Sequence, residues 1–361
     1  MPERVAYLHV GPPKTGTTHL QALLYANVDL LAGHGLRVIG NHALHFNAAS
    51  ELRGVTGPTR RSVPTGRWAK VCAQVQGSKR SDVVLSNERY SLLDAEQAGR
   101  AVRDLEATGR EVRVVLTMRD PVAIEPSRWQ ESVKNGASRP WDEFVRDGMQ
   151  HPERVRNAQR CRRVLDVWPA VVGADRVDVV TVPPAGAPRD LLTSRFFTVL
   201  DRADAVASLV PGRRTNPSLD HAATEILRVL PERVDLPAVV QRAWVKSFLA
   251  NRVLAGAPRT TGSPRLAGEA YAVQRAEGEH LADRIRDLGL RVEGDLADLV
   301  CTPEGDRGDA PTIPPDVRAE LALTVAAALL ERAAEEHAEQ AARDELAREA
   351  HADAAADEGG R

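Results

Sequence analysis

Cysteine is scarce in this chain: three residues in 361, Cys72, Cys161 and Cys301. Odd in number and widely spaced, they exclude a disulfide framework and a cysteine zinc site, and they fit a reducing cytoplasm. No apolar run is long enough to span a bilayer, and Met1 to Arg4 do not lead into a signal peptide. A soluble cytoplasmic protein without a membrane partner is therefore expected. The formal charge is only −2, so no global basic field advertises a nucleic-acid partner, and any anion must be held by local geometry. Carboxylate pairs and histidine clusters at metal-ligand spacing are missing as well, and no metal is expected. What remains is a 43% hydrophobic chain, suited to one large core or two modest ones.

Four short apolar runs stand out: Arg4 to Gly11, Ser81 to Glu88, Glu111 to Asp120 and Arg176 to Pro183. Runs this apolar read as strands buried on both faces. The segments between them have helical spacing, as at Leu20, Leu23, Leu24 and Leu31. The expected fold class is α/β, with a central parallel sheet flanked by helices and a helical C-terminal region. The expected organisation is an α/β domain over 1–235, a helical extension over 236–300, a linker over 301–316 and an Ala/Glu-rich helical tail over 317–361. Leucines in the tail are too sparse for a convincing coiled coil. Its Ala-rich stripe suits packing on the body or pairing with another copy, a homo-oligomer.

The first strand runs into GPPKTGTT, Gly11 to Thr18. Gly11 and Gly16 permit tight turns and close approach of a ligand to the backbone. Thr17 and Thr18 open a helix whose free N–H groups and positive dipole end face the loop. Pro13, Lys14, Thr15, Gly16, Thr17 and Thr18 thus form a candidate cradle for a phosphate or sulfate ester. A nucleotide triphosphatase loop would place Lys directly after the second Gly. Here Lys14 lies two residues before Gly16.

In that arrangement the loop resembles the 5′-phosphosulfate loop of sulfotransferases that use 3′-phosphoadenosine 5′-phosphosulfate (PAPS). A second motif is similar to the same family: Thr117 to Gly136, TMRDPVAIEPSRWQESVKNG, where Arg119 ends a strand and Ser127 follows eight residues later. The resemblance implies that Arg119 and Ser127 hold the 3′ phosphate. A guanidinium fork and a hydroxyl near a helix start suit such a site. Asp120 and Pro121 read as a helix cap and first helical residue, and Pro126 as an interruption of the first turns. The resemblance covers roughly Tyr7 to Leu230. It implies a P-loop-type fold, transfer of a sulfuryl group from PAPS to a hydroxyl or amine of a small-molecule or glycan acceptor, and release of 3′-phosphoadenosine 5′-phosphate. The Arg- and Ala-rich composition is compatible with a bacterial source.

Transfer also needs a base for the acceptor's proton. Glu88, in the SNE at the end of the second long strand, resembles the catalytic carboxylate of several carbohydrate and tyrosine sulfotransferases. Otherwise it is a solvent-facing helix cap. His45, in the loop-like stretch HALHF, is the rival base. Lys14 is positioned in the chain to stabilise charge on the leaving phosphate. Arg213, Arg214 and Asn216, before an amphipathic helix, resemble the late basic loop that closes over the nucleotide. They read equally as a solvated loop, with Ser218 or Asp220 as the next helix cap. Gln130, Glu131 and Lys134 lie on the helix after Ser127, one face of which could border the acceptor, and they read first as a solvated helix face. Two alternatives stand beside the sulfotransferase: a P-loop kinase or triphosphatase, and a non-catalytic nucleotide-binding scaffold.

Overall fold

The computed structural model describes residues 4–56, 62, 65–151, 156–212, 217–305 and 310–359. Its centre is one six-stranded, wholly parallel sheet: β1 (Arg4–His9), β2 (Leu36–Val38), β3 (Asp82–Ser86), β4 (Arg110–Met118), β5 (Val177–Thr181) and β6 (Arg291–Glu293), in the order β2-β3-β1-β4-β5-β6. The fold is α/β, as expected. The four long strands are those visible as apolar runs. The two edge strands are additions of three residues each.

Alternation along the strands sorts side chains onto two cores. Ala6, Leu8 and Val10 of the β1 segment, with Val83, Leu85, Val112, Val114, Leu116, Val177 and Val179, join one apolar cluster. The helices Arg67–Gly77, Ala95–Glu106 and Arg156–Val172 supply Trp68, Val71, Ala98, Val102, Leu165 and Trp168 to it. Tyr7, Val84, Val115 and Val180 point the other way, onto Leu20 and Leu24 of the helix Thr17–Ala26 and Phe196 and Phe197 of the helix Leu191–Val199. Burial on both faces explains why these strands read as continuous apolar runs.

The connection leaving β1 runs toward β2, and the one leaving β4 runs toward β5, on the other side of the sheet. The connections therefore diverge between these two neighbouring strands, at their carboxyl ends. Ligands of doubly wound sheets sit at such a switch point.

The chain divides into two compact units: Met1–Trp129 with Trp141–Asn216 and Pro264–Asp309, and Gln130–Pro140 with Pro217–Ser263 and Ala310–Arg361. The division is not contiguous in sequence. Within the second unit, Asp220 caps the helix His221–Arg228 by accepting from Ala223 N at 2.9 Å, and its other oxygen accepts from Thr260 N at 2.9 Å. Gln130 and Lys134 are buried there rather than solvated. Gln130 Nε2 donates to Leu219 O at 2.8 Å, and Lys134 Nζ to Pro217 O at 2.6 Å. The long helix Pro315–Gly359 buries Leu321 and Val325 and leaves Leu323 and Leu330 exposed.

Candidate functional site at the carboxyl ends of β1 and β4

Gly16 adopts φ +85° before the helix Thr17–Ala26, and His19 N and Leu20 N bond back to its carbonyl at 3.0 and 3.2 Å. Lys14 itself sits at φ +71°, a left-handed conformation that costs a non-glycine residue on the order of 1–2 kcal/mol. Thr15 is fully buried beneath it. Its hydroxyl donates to Pro12 O at 2.6 Å, closing the turn, and pairs with Thr117 Oγ1 at 2.8 Å.

That pairing fixes a chain of protons. Thr15 has one hydroxyl hydrogen, committed to a carbonyl, so Thr117 donates to Thr15. Thr117 then accepts from His9 Nε2–H at 3.3 Å, and Ser86 Oγ donates to His9 Nδ1 at 2.7 Å. The network thus assigns His9 the neutral tautomer with the proton on Nε2. Burial pushes its pKa down to about 3. A belt from Ser86 through His9 and Thr117 to Thr15 underlies the loop, linking the ends of β3, β1 and β4. Gly11 completes the fit: a Cβ there would lie 1.9 Å from Thr117 Oγ1 and 2.6 Å from Thr17 Cγ2.

The two motifs meet at Arg119, whose Nη1 donates to the Lys14 carbonyl at 3.3 Å. Burial lowers the pKa of this half-buried guanidinium, with Asp120 opposing the shift. Asp120 is the expected cap: Oδ1 accepts from Val122 N at 2.9 Å, and Oδ2 accepts from Thr302 N at 2.7 Å. The helix Pro121–Lys134 runs through Pro126 without a break, correcting the expected interruption. Pro126 lies early in it, so the only N–H lost is one that would have bonded back to the first turn. Ser127 is half-buried in this helix, and its hydroxyl bonds to no described residue.

Glu88 lies on the other side of the loop. It opens the short helix Glu88–Leu92, capped by Asn87, and its Oε2 accepts from Thr17 Oγ1 at 3.4 Å. The carboxylate is thus half-buried against the cradle's helix start. Thr18 is exposed, Pro13 is half-buried, and His19 shares a hydrogen bond with Thr193 at 3.1 Å.

His45 departs from expectation. HALHF is the start of a helix, His42–Leu52, and not a loop. His45 is fully buried; its Nε2–H donates to Ile39 O at 2.6 Å and its Nδ1 accepts from Tyr90 OH at 2.7 Å. Burial pushes its pKa down to about 4. With both nitrogens engaged, no lone pair is left for an acceptor, and the ring works as a packing and hydrogen-bonding residue. Arg213, Arg214 and Asn216 lie outside the described residues.

Sequence reasoning missed the belt that His9 organises. The signal was there: His9, Ser86 and Thr117 are polar residues at or next to the last position of three strands, each directly after an apolar stretch. Among the described residues no group of three or more His, Cys, Asp and Glu is placed to hold a metal ion. Among them, too, no helix is long and apolar enough to cross a membrane.

No family model matches the chain, and no curated protein matches it. Among solved structures, the sulfotransferase domain of the Synechococcus PCC 7002 olefin synthase is similar at 16% identity and a TM-score of 0.32, over 67% of this chain and 94% of that one. So slight a likeness assigns this chain neither an activity nor a family.

Proposed function

We propose that this protein is a sulfotransferase that moves a sulfuryl group from PAPS to a hydroxyl or amine of a small-molecule or glycan acceptor. The observation that carries the reading is the hydrogen bond from Arg119 to the Lys14 carbonyl at 3.3 Å. It brings the two candidate grips, far apart in sequence, side by side, which supports a donor phosphorylated at both its 3′ and 5′ positions.

In this reading the backbone N–H groups at Gly16 to Thr18 and the Lys14 ammonium hold the 5′ phosphosulfate. Arg119 and the Ser127 hydroxyl hold the 3′ phosphate. Glu88 takes the acceptor's proton as the acceptor oxygen or nitrogen bonds to sulfur. The bond from sulfur to the bridging phosphate oxygen breaks, its electron pair leaving with the phosphate, and Lys14 stabilises that charge. Thr17 orients Glu88 through their contact at 3.4 Å.

The test is thermal stabilisation by 3′-phosphoadenosine 5′-phosphate against ATP with magnesium, in the native protein and in Lys14→Ala and Arg119→Ala. Selective stabilisation by the bisphosphate, lost in both variants, is expected. A larger shift with ATP and magnesium would replace this reading with a kinase or triphosphatase.

A further inference from the structure

Next to Arg119 in the chain stands an acid that does not pair with it. Among the described residues the Arg119 guanidinium makes one hydrogen bond, to the Lys14 carbonyl at 3.3 Å, and no ion pair. A guanidinium has five N–H donors, so most of the fork is uncommitted there. Asp120 is 2% exposed, and burial strengthens attraction between opposite charges. Yet both of its oxygens are engaged elsewhere. Oδ1 accepts from Val122 N at 2.9 Å and Oδ2 from Thr302 N at 2.7 Å, with Cys301 Sγ 3.9 Å from the same oxygen. The first contact is an ordinary cap within one helical turn. The second comes from 182 residues away and has no part in forming that helix.

The Thr302 N–H is presented by a turn that other groups hold. Asp298, just before it, accepts from Thr181 Oγ1 at 2.7 Å and from Arg195 Nη1 at 2.6 Å, at the end of β5. Val300 O accepts from Arg275 Nη1 at 3.0 Å, and Thr302 O from Tyr271 OH at 3.3 Å. Gly278 allows the turn to lie against the helix Gly268–Asp287: a Cβ there would sit 2.3 Å from Leu299 O. The donor at residue 302 is thus fixed by contacts that do not involve Asp120. Arg119 and Asp120 still sense each other, since Asp120 opposes the burial-driven fall in the Arg119 pKa.

We propose that Thr302 is a positioning residue of the donor site: its backbone N–H holds the Asp120 carboxylate off Arg119, so that the guanidinium stays open to a phosphate. This rests on Arg119 gripping the 3′ phosphate. Released from Thr302, the carboxylate turns onto Arg119 and competes with the nucleotide as an internal anion.

The experiment measures, by calorimetry on the full chain, the affinity for 3′-phosphoadenosine 5′-phosphate and for adenosine 5′-monophosphate, which lacks only the 3′ phosphate. Their ratio isolates the Arg119 grip, and it should be about tenfold or more in the native protein. Thr302→Pro removes the N–H; the ratio should fall to within about twofold, with the monophosphate bound as before. Asp120→Asn still caps the helix but carries no charge, and its ratio should stay within about threefold of native. The double variant T302P/D120N should recover that ratio too, a rescue that a merely structural role of the turn would not give. Asp120→Glu serves if T302P does not fold. Its carboxylate is one carbon too long for the two backbone N–H groups, and the ratio should fall as in T302P. A native ratio in T302P or D120E, a loss in D120N as deep as in T302P, or a double variant without rescue would overturn the inference and leave the donor reading standing. A native protein that binds both nucleotides equally would remove the 3′ grip itself, and the inference with it.

Discussion

Acidification should weaken this fold through two histidines. His9 and His45 are held neutral, with pKa values pushed down by burial to about 3 and about 4 from an ordinary 6.5. In the unfolded chain each takes up a proton near pH 6.5; in the folded chain neither does until far lower. Between those values the unfolded state binds more protons, so stability is full above the upper limit and is lost as pH falls through the window. At about pH 5 the loss is roughly 2 kcal/mol for each histidine, or about 4 kcal/mol together. Asp178 runs the other way. Burial raises its pKa to about 6, so the folded state gains its proton first. Arg113, at 3.1 Å, opposes that shift without cancelling it, and for this part-buried pair the return at pH 5 is about 1 kcal/mol. These three groups together give a net loss of about 3 kcal/mol between about pH 8 and pH 5, a large share of the stability of an ordinary domain. Urea titrations at the two pH values read it directly. The double variant His9→Gln with His45→Gln isolates the cause. Asp178 and Glu125, whose pKa burial also raises, and His221, whose pKa burial lowers, are common to both proteins and cancel in the comparison. The double variant should start less stable and lose about 4 kcal/mol less on acidification. A native and a double-variant protein with pH slopes within about 1 kcal/mol of each other would refute the buried-neutral assignment.

Two further substitutions probe the site. Gly11→Ala places a methyl carbon 1.9 Å from Thr117 Oγ1; thermal melts should show a loss of about 3 kcal/mol, together with loss of the bisphosphate-induced shift. Glu88→Gln should leave that shift intact and reduce turnover with PAPS and an acceptor about a hundred- to ten-thousand-fold, measured as release of the bisphosphate product.

Much of the sheet was legible because burial on both faces leaves a plain apolar run, as in Val83 to Leu85 and Val177 to Val180. The edge strands Leu36–Val38 and Arg291–Glu293 were not, since three residues carry no periodicity. HALHF was misjudged because its histidines look like surface residues. Asn41, whose side chain accepts from Leu44 N at 2.9 Å, is the cap that marks the helix start. The loop residues were legible because Gly, Lys and Thr at fixed offsets have a local purpose. The belt of Ser86, His9, Thr117 and Thr15 was not, because it comes from three separate stretches that only the fold brings together. Lys134 was misread for the same reason: its ammonium is satisfied by a carbonyl eighty-three residues away.

The turn at Lys14 is held open from a distance. Thr15 is tied to Thr117 across 102 residues, and the Lys14 carbonyl to Arg119 across 105. An octapeptide copied from Gly11 to Thr18 would relax out of its left-handed geometry, for nothing within it supplies those anchors. The left-handed shape of the loop is therefore completed only after β4 has docked beside β1. A nascent or truncated product ending before β4 would carry every residue of the loop and none of its shape.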